Sequence, residues 1–328
     1  MSDRGSGAEP VGLGALERGL YDAWWLCEHL LGERRIRGSA SRLRARVRGW
    51  TESAVRDRRA QVIPVERRRT IDRATLLREY FAKGRPVVLE GFASEWPAAK
   101  RWTFEWLSEA YGAERVCITD NGDPDFLPLS DALARIESGR SRTARFGALL
   151  VTRPELVSDL RLSALEALRP AMARTTSLQF FVGGAGSVTP LHADGTCNFH
   201  VQLRGEKVWR IIHPVFNPVM RPVALSAPHF KSPIAPFEVG RAADGVEAHV
   251  DVLEAVLRPG DVLFNPSFFW HEVRYTAPSV SVGMRWVSPT SFLRGSLAMT
   301  TLMLLAREPS VLGALRGALA GDGGGFYR

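Results

Sequence analysis

The chain has 328 residues, 45% hydrophobic and 24% charged, with a formal charge of +8, which is ordinary for a soluble globular protein of one large domain with appendages, or of two domains. Its three cysteines, Cys27, Cys117 and Cys197, are scattered and odd in number, which excludes a disulfide framework or a zinc spacing and fits a reducing cytoplasm. The first residues lack a signal pattern, and the longest apolar runs, Tyr21–Leu31 and Leu297–Ala306, fall short of the roughly 20 residues that span a bilayer.

Residues 1–12 are rich in Gly, Ser and Pro and are expected to be disordered. Leu16, Leu20, Trp24, Cys27 and Leu31 then recur at spacings of three and four, which predicts a helix. Gly38-Ser39 reads as a break before a second, arginine-rich helix. Arginine crowds the stretch from Arg34 to Arg69. Such a run suits either a nucleic-acid or acidic-peptide contact or a solvated helical face. The scarcity of aromatics that stack on bases favours the solvated face. Residues 1–60 thus form a basic helical appendage, whose apolar stripe packs on the body or on a partner.

A second texture begins near Val62. Asp72 caps a helix that runs to Phe81, Pro86–Gly91 is a buried strand, and Thr103 caps a helix to Tyr111. Val116–Thr119 is a strand, Asn121-Gly122-Asp123-Pro124 has turn chemistry, and Leu129–Ile136 is helical with Ser130 or Asp131 near its start. After Pro170 come eight short candidate strands separated by Gly, Pro and Asn: 178–183, 189–192, 198–203, 207–213, 249–253, 261–265, 271–275 and 280–287. That spacing predicts a mainly β domain with flanking helices, a double-stranded β-helix (jelly-roll or cupin barrel). The main domain is placed at 61–292, its barrel core at about 171–292, and C-terminal helices at 293–328. Those helices pack on their own barrel or form a homodimer interface. Pro214–Ala248 is a long proline-rich loop of the kind that serves as a lid.

The chemistry-bearing stretch is Thr189-Pro190-Leu191-His192-Ala193-Asp194, answered by Trp270-His271. Alternate residues of a strand share a face, so His192 and Asp194 project together. With His271 they make two imidazoles and one carboxylate, the facial set that leaves open positions on a non-haem Fe(II) centre. A lone H-x-D is weak evidence. It is strengthened by the glycine-rich bend Gly183-Gly184-Ala185-Gly186 before it, by a hairpin carrying Lys207 after it, and by Pro259–Pro266 leading into Trp270-His271. The competing reading is a satisfied core cluster without metal.

With these motifs, and with GRPVVLEGFASEWPA at residues 84–98, the segment from about Ile63 to Ser291 resembles the JmjC/cupin-like family of Fe(II)- and 2-oxoglutarate-dependent oxygenases. It looks nearest the asparaginyl-hydroxylase branch that includes the enzyme acting on hypoxia-inducible factor. The resemblance implies His192, Asp194 and His271 as catalytic iron ligands. It implies Lys207, fifteen positions after the first histidine, as the 2-oxoglutarate lysine, with Thr189 sharing the same carboxylate and Asn198 beside the co-substrate. Independently of the family, a lysine buried at the start of an inner strand needs an anion. Two positions depart from the branch: His200 stands in place of an aromatic, and Arg285 stands near its asparagine. If Arg285 faces inward it binds the co-substrate or an acidic target group; a register slip of one puts Met284 inside instead. His213, His229 and His249 read as structural or substrate-facing, and Asp261 as structural.

The implied activity is a hydroxylase using Fe(II), 2-oxoglutarate and O2. Its substrate is foremost a peptide or protein side chain, or else a small biosynthetic intermediate or amino acid. An RNA-modifying oxygenase, a demethylase and a non-catalytic metal cupin complete the alternatives. A peptide target would lie in a groove formed by the Pro214–Ala248 loop and the region before Pro170.

Overall fold

The computed structural model describes residues 14–31, 45–47, 49–50, 53, 60–120, 123–139, 143–145, 149–223, 229–234, 249–288, 290 and 296–305. Of the expected second N-terminal helix only residues 45–47, 49–50 and 53 are described, and they are helical; the part of the C-terminal helical region after residue 305, and every arginine between Arg34 and Arg59 except Arg46, lie outside the described residues. Among the described residues, no helix is long and apolar enough to cross a membrane.

Fifteen strands are described: β1 (Val62–Pro64), β2 (Arg67–Arg68), β3 (Val87–Leu89), β4 (Arg115–Asp120), β5 (Asp123–Pro128), β6 (Thr143–Arg145), β7 (Arg174–Gly183), β8 (Val188–Asp194), β9 (Cys197–Arg204), β10 (Lys207–Ile212), β11 (His229–Lys231), β12 (Val252–Leu257), β13 (Val262–Asn265), β14 (Trp270–Tyr275) and β15 (Ser279–Val287). The longer helices are α1 (Ala15–Leu31), α2 (Phe104–Tyr111), α3 (Leu129–Glu137) and α4 (Leu297–Leu305). A six-stranded sheet runs β1-β12-β10-β14-β8-β11, and a nine-stranded sheet runs β2-β3-β13-β9-β15-β7-β6-β4-β5. Trp209, Ile211, Val273 and Tyr275 of the smaller sheet pack against Val88 and Leu263 of the larger. The result is the expected jelly roll, two facing sheets with flanking helices.

Each of the eight candidate strands has a counterpart, but one is displaced. The strand expected at 249–253 lies at Val252–Leu257. Its last five residues, Leu-Glu-Ala-Val-Leu, include several helix formers, and pairing with β10 overrides that propensity. Three strands were not legible: β11 inside the proline-rich loop, and β5 and β6 before the barrel. Asp72 does cap its helix, accepting from Thr75 N at 2.9 Å, and Thr103 Oγ1 accepts from Trp106 N at 3.1 Å. The first of these helices passes into a π-helical turn over Leu76–Phe81.

Hydrophobic burial is concentrated on the outer faces. Beneath the larger sheet, Phe180, Phe199, Phe264 and Trp286 pack against Trp102, Leu107 and Leu133 of the helical layer. Over the smaller sheet, Leu191, Ala193 and Trp270 pack against Tyr21 and Trp25 of α1 and Met299 and Leu302 of α4. Ser296 Oγ donates to Asp22 Oδ2 at 2.7 Å, joining the two helices. α1 therefore docks on the body, but through Tyr21 and Trp25 rather than the expected stripe, of which Leu16, Leu20 and Cys27 are exposed.

Asp261 staples the layers. Its Oδ1 accepts from Gly91 N at 3.1 Å, and its Oδ2 accepts from Arg258 N at 3.0 Å and Arg67 Nη2 at 2.7 Å. The turn before it needs Gly260, whose φ of 92° disfavours any side chain. Arg67, Arg68 and Arg69, at the end of the arginine-rich stretch, pair with Asp261, Glu66 and Glu90.

His213 caps the turn after β10, its Nδ1 accepting from Val215 N at 3.0 Å. Burial, with Arg18 nearby, pushes its imidazole down to about 4. The unfolded chain, with an imidazole near its ordinary value of about 6.5, takes up this proton first. Stability is therefore lost as pH falls from about 6.5 to about 4, by roughly 3 kcal/mol in total. Urea unfolding across that range should show a shallower loss in His213→Asn, which keeps a cap acceptor without the titration. Equal slopes for both proteins would contradict this.

Candidate metal centre

Strand pairing brings the three expected ligands together. β14 and β8 are antiparallel with His271 directly opposite His192, and Asp194 lies two residues beyond His192. The two imidazole centroids are 4.1 Å apart. Asp194 Oδ2 lies 3.6 Å from His192 Nε2 and 3.9 Å from His271 Nε2, and one ligand atom from each residue falls within 4.8 Å of the others. Both rings are held by the opposite nitrogen: His192 Nδ1 donates to Pro190 O at 2.8 Å, and His271 Nδ1 donates to Phe269 O at 2.9 Å. A carbonyl only accepts, so the proton sits on Nδ1 and each Nε2 lone pair faces the shared space. Trp209 stacks on the His271 ring at 5.3 Å and 13°.

Asp194 is buried, which by itself would raise its pKa. Arg285 and His229 outweigh that, and with His192 they hold the carboxyl well below its usual range. Arg285 Nη1 donates to Oδ2 at 2.5 Å, and the His229 ring reaches Oδ1. Ionised oxygens flanked by two Nε2 lone pairs form a donor set suited to a divalent cation, and the N2O composition favours iron-type chemistry over magnesium or calcium.

Thr189 is three residues before His192, so plain alternation would place it on the opposite face. A bulge corrects this. His192 pairs with His271 while Thr189 pairs with Val273, three residues on β8 against two on β14. Because cross-strand partners share a face, Thr189 looks inward with His192. Pro190 sits within the bulge, where a strand tolerates a missing N–H.

The register then ranks the interior in rows. Ile211, His271 and His192 form one row, Trp209, Val273 and Thr189 the next, and Lys207 with Tyr275 the deepest. On the facing sheet the order is Asn265, Asn198, Arg285 and Ser177, then Leu263, His200, Gly283 and Gln179, then Gln202, Ser281 and Phe181. Arg285 therefore faces inward and is bonded to Asp194 and to Gln179 Oε1 (2.7 Å), whereas Met284 is in the outer core.

Lys207 is fully buried. Its Nζ donates to Ser281 Oγ at 2.5 Å and lies 4.2 Å from the centroid of Tyr275. Among the described residues no carboxylate pairs with it, and burial pushes its ammonium well below the usual value. Around it, His200 Nε2, Asn198 Oδ1, Gln202 Oε1 and Trp209 Nε1 are buried without a hydrogen-bond partner. A lone buried ammonium beside the unpartnered Trp209 Nε1–H fits an anion carried in from outside, whereas the unpartnered Asn198 and Gln202 oxygens call for a donor. His200 lies between Phe181 and Trp209, outside the three-ligand set. Burial and the Lys207 charge hold it neutral.

Of the remaining candidates, Trp270 points away from the site, its Nε1 donating to Asn217 Oδ1 at 2.6 Å in the outer core. His249 precedes β12 and is outside the three-ligand set, and Asp261 is the structural staple. His229, read from the sequence as structural or substrate-facing, contacts Asp194, and that role was missed. Nothing in a proline-rich loop marks it except the short alternation His229-Phe230-Lys231, which pairs with β8 so that His229 faces Asp194.

Known proteins give a consistent picture. A family model described as a cupin-like domain matches residues 73–291. Lysine-specific demethylase 8 of Xenopus tropicalis is 26% identical over 217 residues, 63% of this chain and 49% of that protein. Lysine-specific demethylase JMJ30 of Arabidopsis thaliana is 24% identical over 234 residues, 68% of this chain and 54% of that protein. The human bifunctional peptidase and (3S)-lysyl hydroxylase JMJD7 is 23% identical over 250 residues, covering 62% of this chain and 78% of the human protein. The chain thus spans about half the length of the two demethylases.

Removing one imidazole should reduce divalent-metal affinity by more than the ~10–100-fold typical of an outer partner. Equilibrium dialysis of His192→Ala against Mn(II) checks this, and undiminished binding would refute the ligand set.

Proposed function

The chain belongs to the cupin-like domain family, with JmjC-type demethylases and a lysyl hydroxylase among its relatives, and on that premise we propose an Fe(II)- and 2-oxoglutarate-dependent dioxygenase that hydroxylates a C–H bond of a peptide or protein side chain. The observation that carries the reading is the pairing of two features in one interior. A preformed two-histidine, one-aspartate set stands at the shallow end, and a buried lysine with no carboxylate partner among the described residues stands at the deep end.

When bound, iron with 2-oxoglutarate and O2 supplies the oxidation, coupling decarboxylation of the co-substrate to hydroxylation of the target. The protein contributes position. His192, Asp194 and His271 would hold the metal, a three-ligand set that does not fill its coordination. Lys207 and Ser281, with Thr189 one row above, take the far carboxylate of the co-substrate. Trp209, Phe181 and Tyr275 wall this end and keep water from it. No side chain needs to act as general acid or base, and the buried groups are poised accordingly: His200 neutral, Asp194 ionised.

The relatives' names include lysine demethylation and lysyl hydroxylation, both of which begin with oxidation of a carbon–hydrogen bond. His200 and Arg285 depart from the asparaginyl branch at the site itself. The reading is therefore set at side-chain hydroxylation, with release of formaldehyde where the carbon attacked is an N-methyl.

The decisive assay is succinate formation from 2-oxoglutarate in the presence of candidate peptides and metabolites, with mass spectrometry for the gain of one oxygen. Product on a peptide supports the reading. Turnover confined to free metabolites moves the substrate to small molecules, and no succinate under any condition defeats the enzyme assignment. Lys207→Ala should raise the 2-oxoglutarate requirement at least about tenfold, the loss of one charge-assisted bond, with Mn(II) binding retained. An unchanged requirement would remove this lysine from the co-substrate site.

A further inference from the structure

Asp194 has two oxygens, and the structure gives them different neighbours. Oδ2 accepts from Arg285 Nη1 at 2.5 Å and faces His192 Nε2 and His271 Nε2 with its remaining lone pair. Oδ1 is taken by Nδ1 of His229. An aspartate oxygen that shares its carboxylate with an ion only accepts, so this contact is a hydrogen bond donated by His229 Nδ1.

His229 is well placed to keep that contact. It belongs to β11, the edge strand of the smaller sheet, and stands opposite Asp194 while Lys231 stands opposite His192. Between them Phe230 turns to the other face and is fully buried, 6.0 Å from the Trp25 ring of α1. Ser232 N donates to Leu191 O at 3.1 Å, and Val223 N donates to Lys231 O at 2.9 Å. The strand is thus tied on both edges and by its middle side chain.

We propose that His229 is a positioning residue for the metal centre: it holds Asp194 Oδ1 so that the carboxylate presents Oδ2 alone to the ion. A carboxylate free to turn can offer both oxygens and occupy a second coordination position. Held by His229 it offers one, and the remaining positions stay open for co-substrate and O2. The role also ties the metal site to α1 and to the segment after β10, because Phe230 and β11 set where His229 stands. This inference rests on the metal site proposed above.

The test uses cobalt(II) alone with the full chain, read by visible d–d absorption, which reports coordination number without turnover. His229→Leu fills the space without a donor, and His229→Asn places an amide N–H near the position of Nδ1. His229→Leu should weaken Co(II) binding by about 10- to 100-fold and lower the d–d intensity as a further oxygen joins the ion. His229→Asn should restore both affinity and spectrum. Wild-type affinity and spectrum in His229→Leu would overturn the role, as would equal loss in both variants, which would indicate packing alone. If the wild-type chain binds no cobalt, the metal site falls and the role of His229 with it.

Discussion

The geometry of this protein depends on one cross-strand pair, His271 of β14 opposite His192 of β8. That register brings two imidazoles from positions 79 residues apart in the sequence to a centroid separation of 4.1 Å. It also selects the other residues on the same faces. Asp194 joins because it is two residues further on, and Thr189 joins because the bulge at Pro190 brings it back inward. A slip of one residue in β8 would send His192 and Asp194 to the outer face and replace them with Leu191 and Ala193, and a slip in β14 would replace His271 with Trp270.

The interior that this register creates is unusually polar for a jelly roll. Ser177, Gln179, Asn198, His200, Gln202, Ser281 and Arg285 all project from the larger sheet toward the smaller one. Such a face contributes little hydrophobic stabilisation and leaves several buried atoms without partners. The outer faces supply the difference, at roughly 1.5–3 kcal/mol for each large apolar side chain buried. The helical layers are therefore structural requirements of the site. The layer under the larger sheet encloses Phe180, Phe199 and Trp286, and α1 with α4 covers the smaller sheet over the ligand strands.

Much of this was legible in the sequence where chemistry and period agree. His192-x-Asp194, the lysine fifteen residues on, the Asp72 and Thr103 caps, and seven of the eight strands expected from 178 onward come from alternation and from residue types with few other uses. The choice between Met284 and Arg285 was not legible, because both suit a strand and only the pairing with β7 and β9 decides which looks inward. Thr189 could be assigned by resemblance but not by alternation, since the bulge that turns it is a property of two strands. β11 was invisible for the same reason: three residues of a proline-rich loop become a strand only by pairing with β8. His229 was hidden with it.

The proposed chemistry requires a ferrous ion held by His192, Asp194 and His271. The most direct measurement is anomalous diffraction at the iron edge from crystals grown anaerobically with Fe(II). A single strong peak within coordination distance of His192 Nε2, Asp194 Oδ2 and His271 Nε2 is predicted. Iron bound elsewhere, or a saturated crystal with no peak between these three groups, would contradict it.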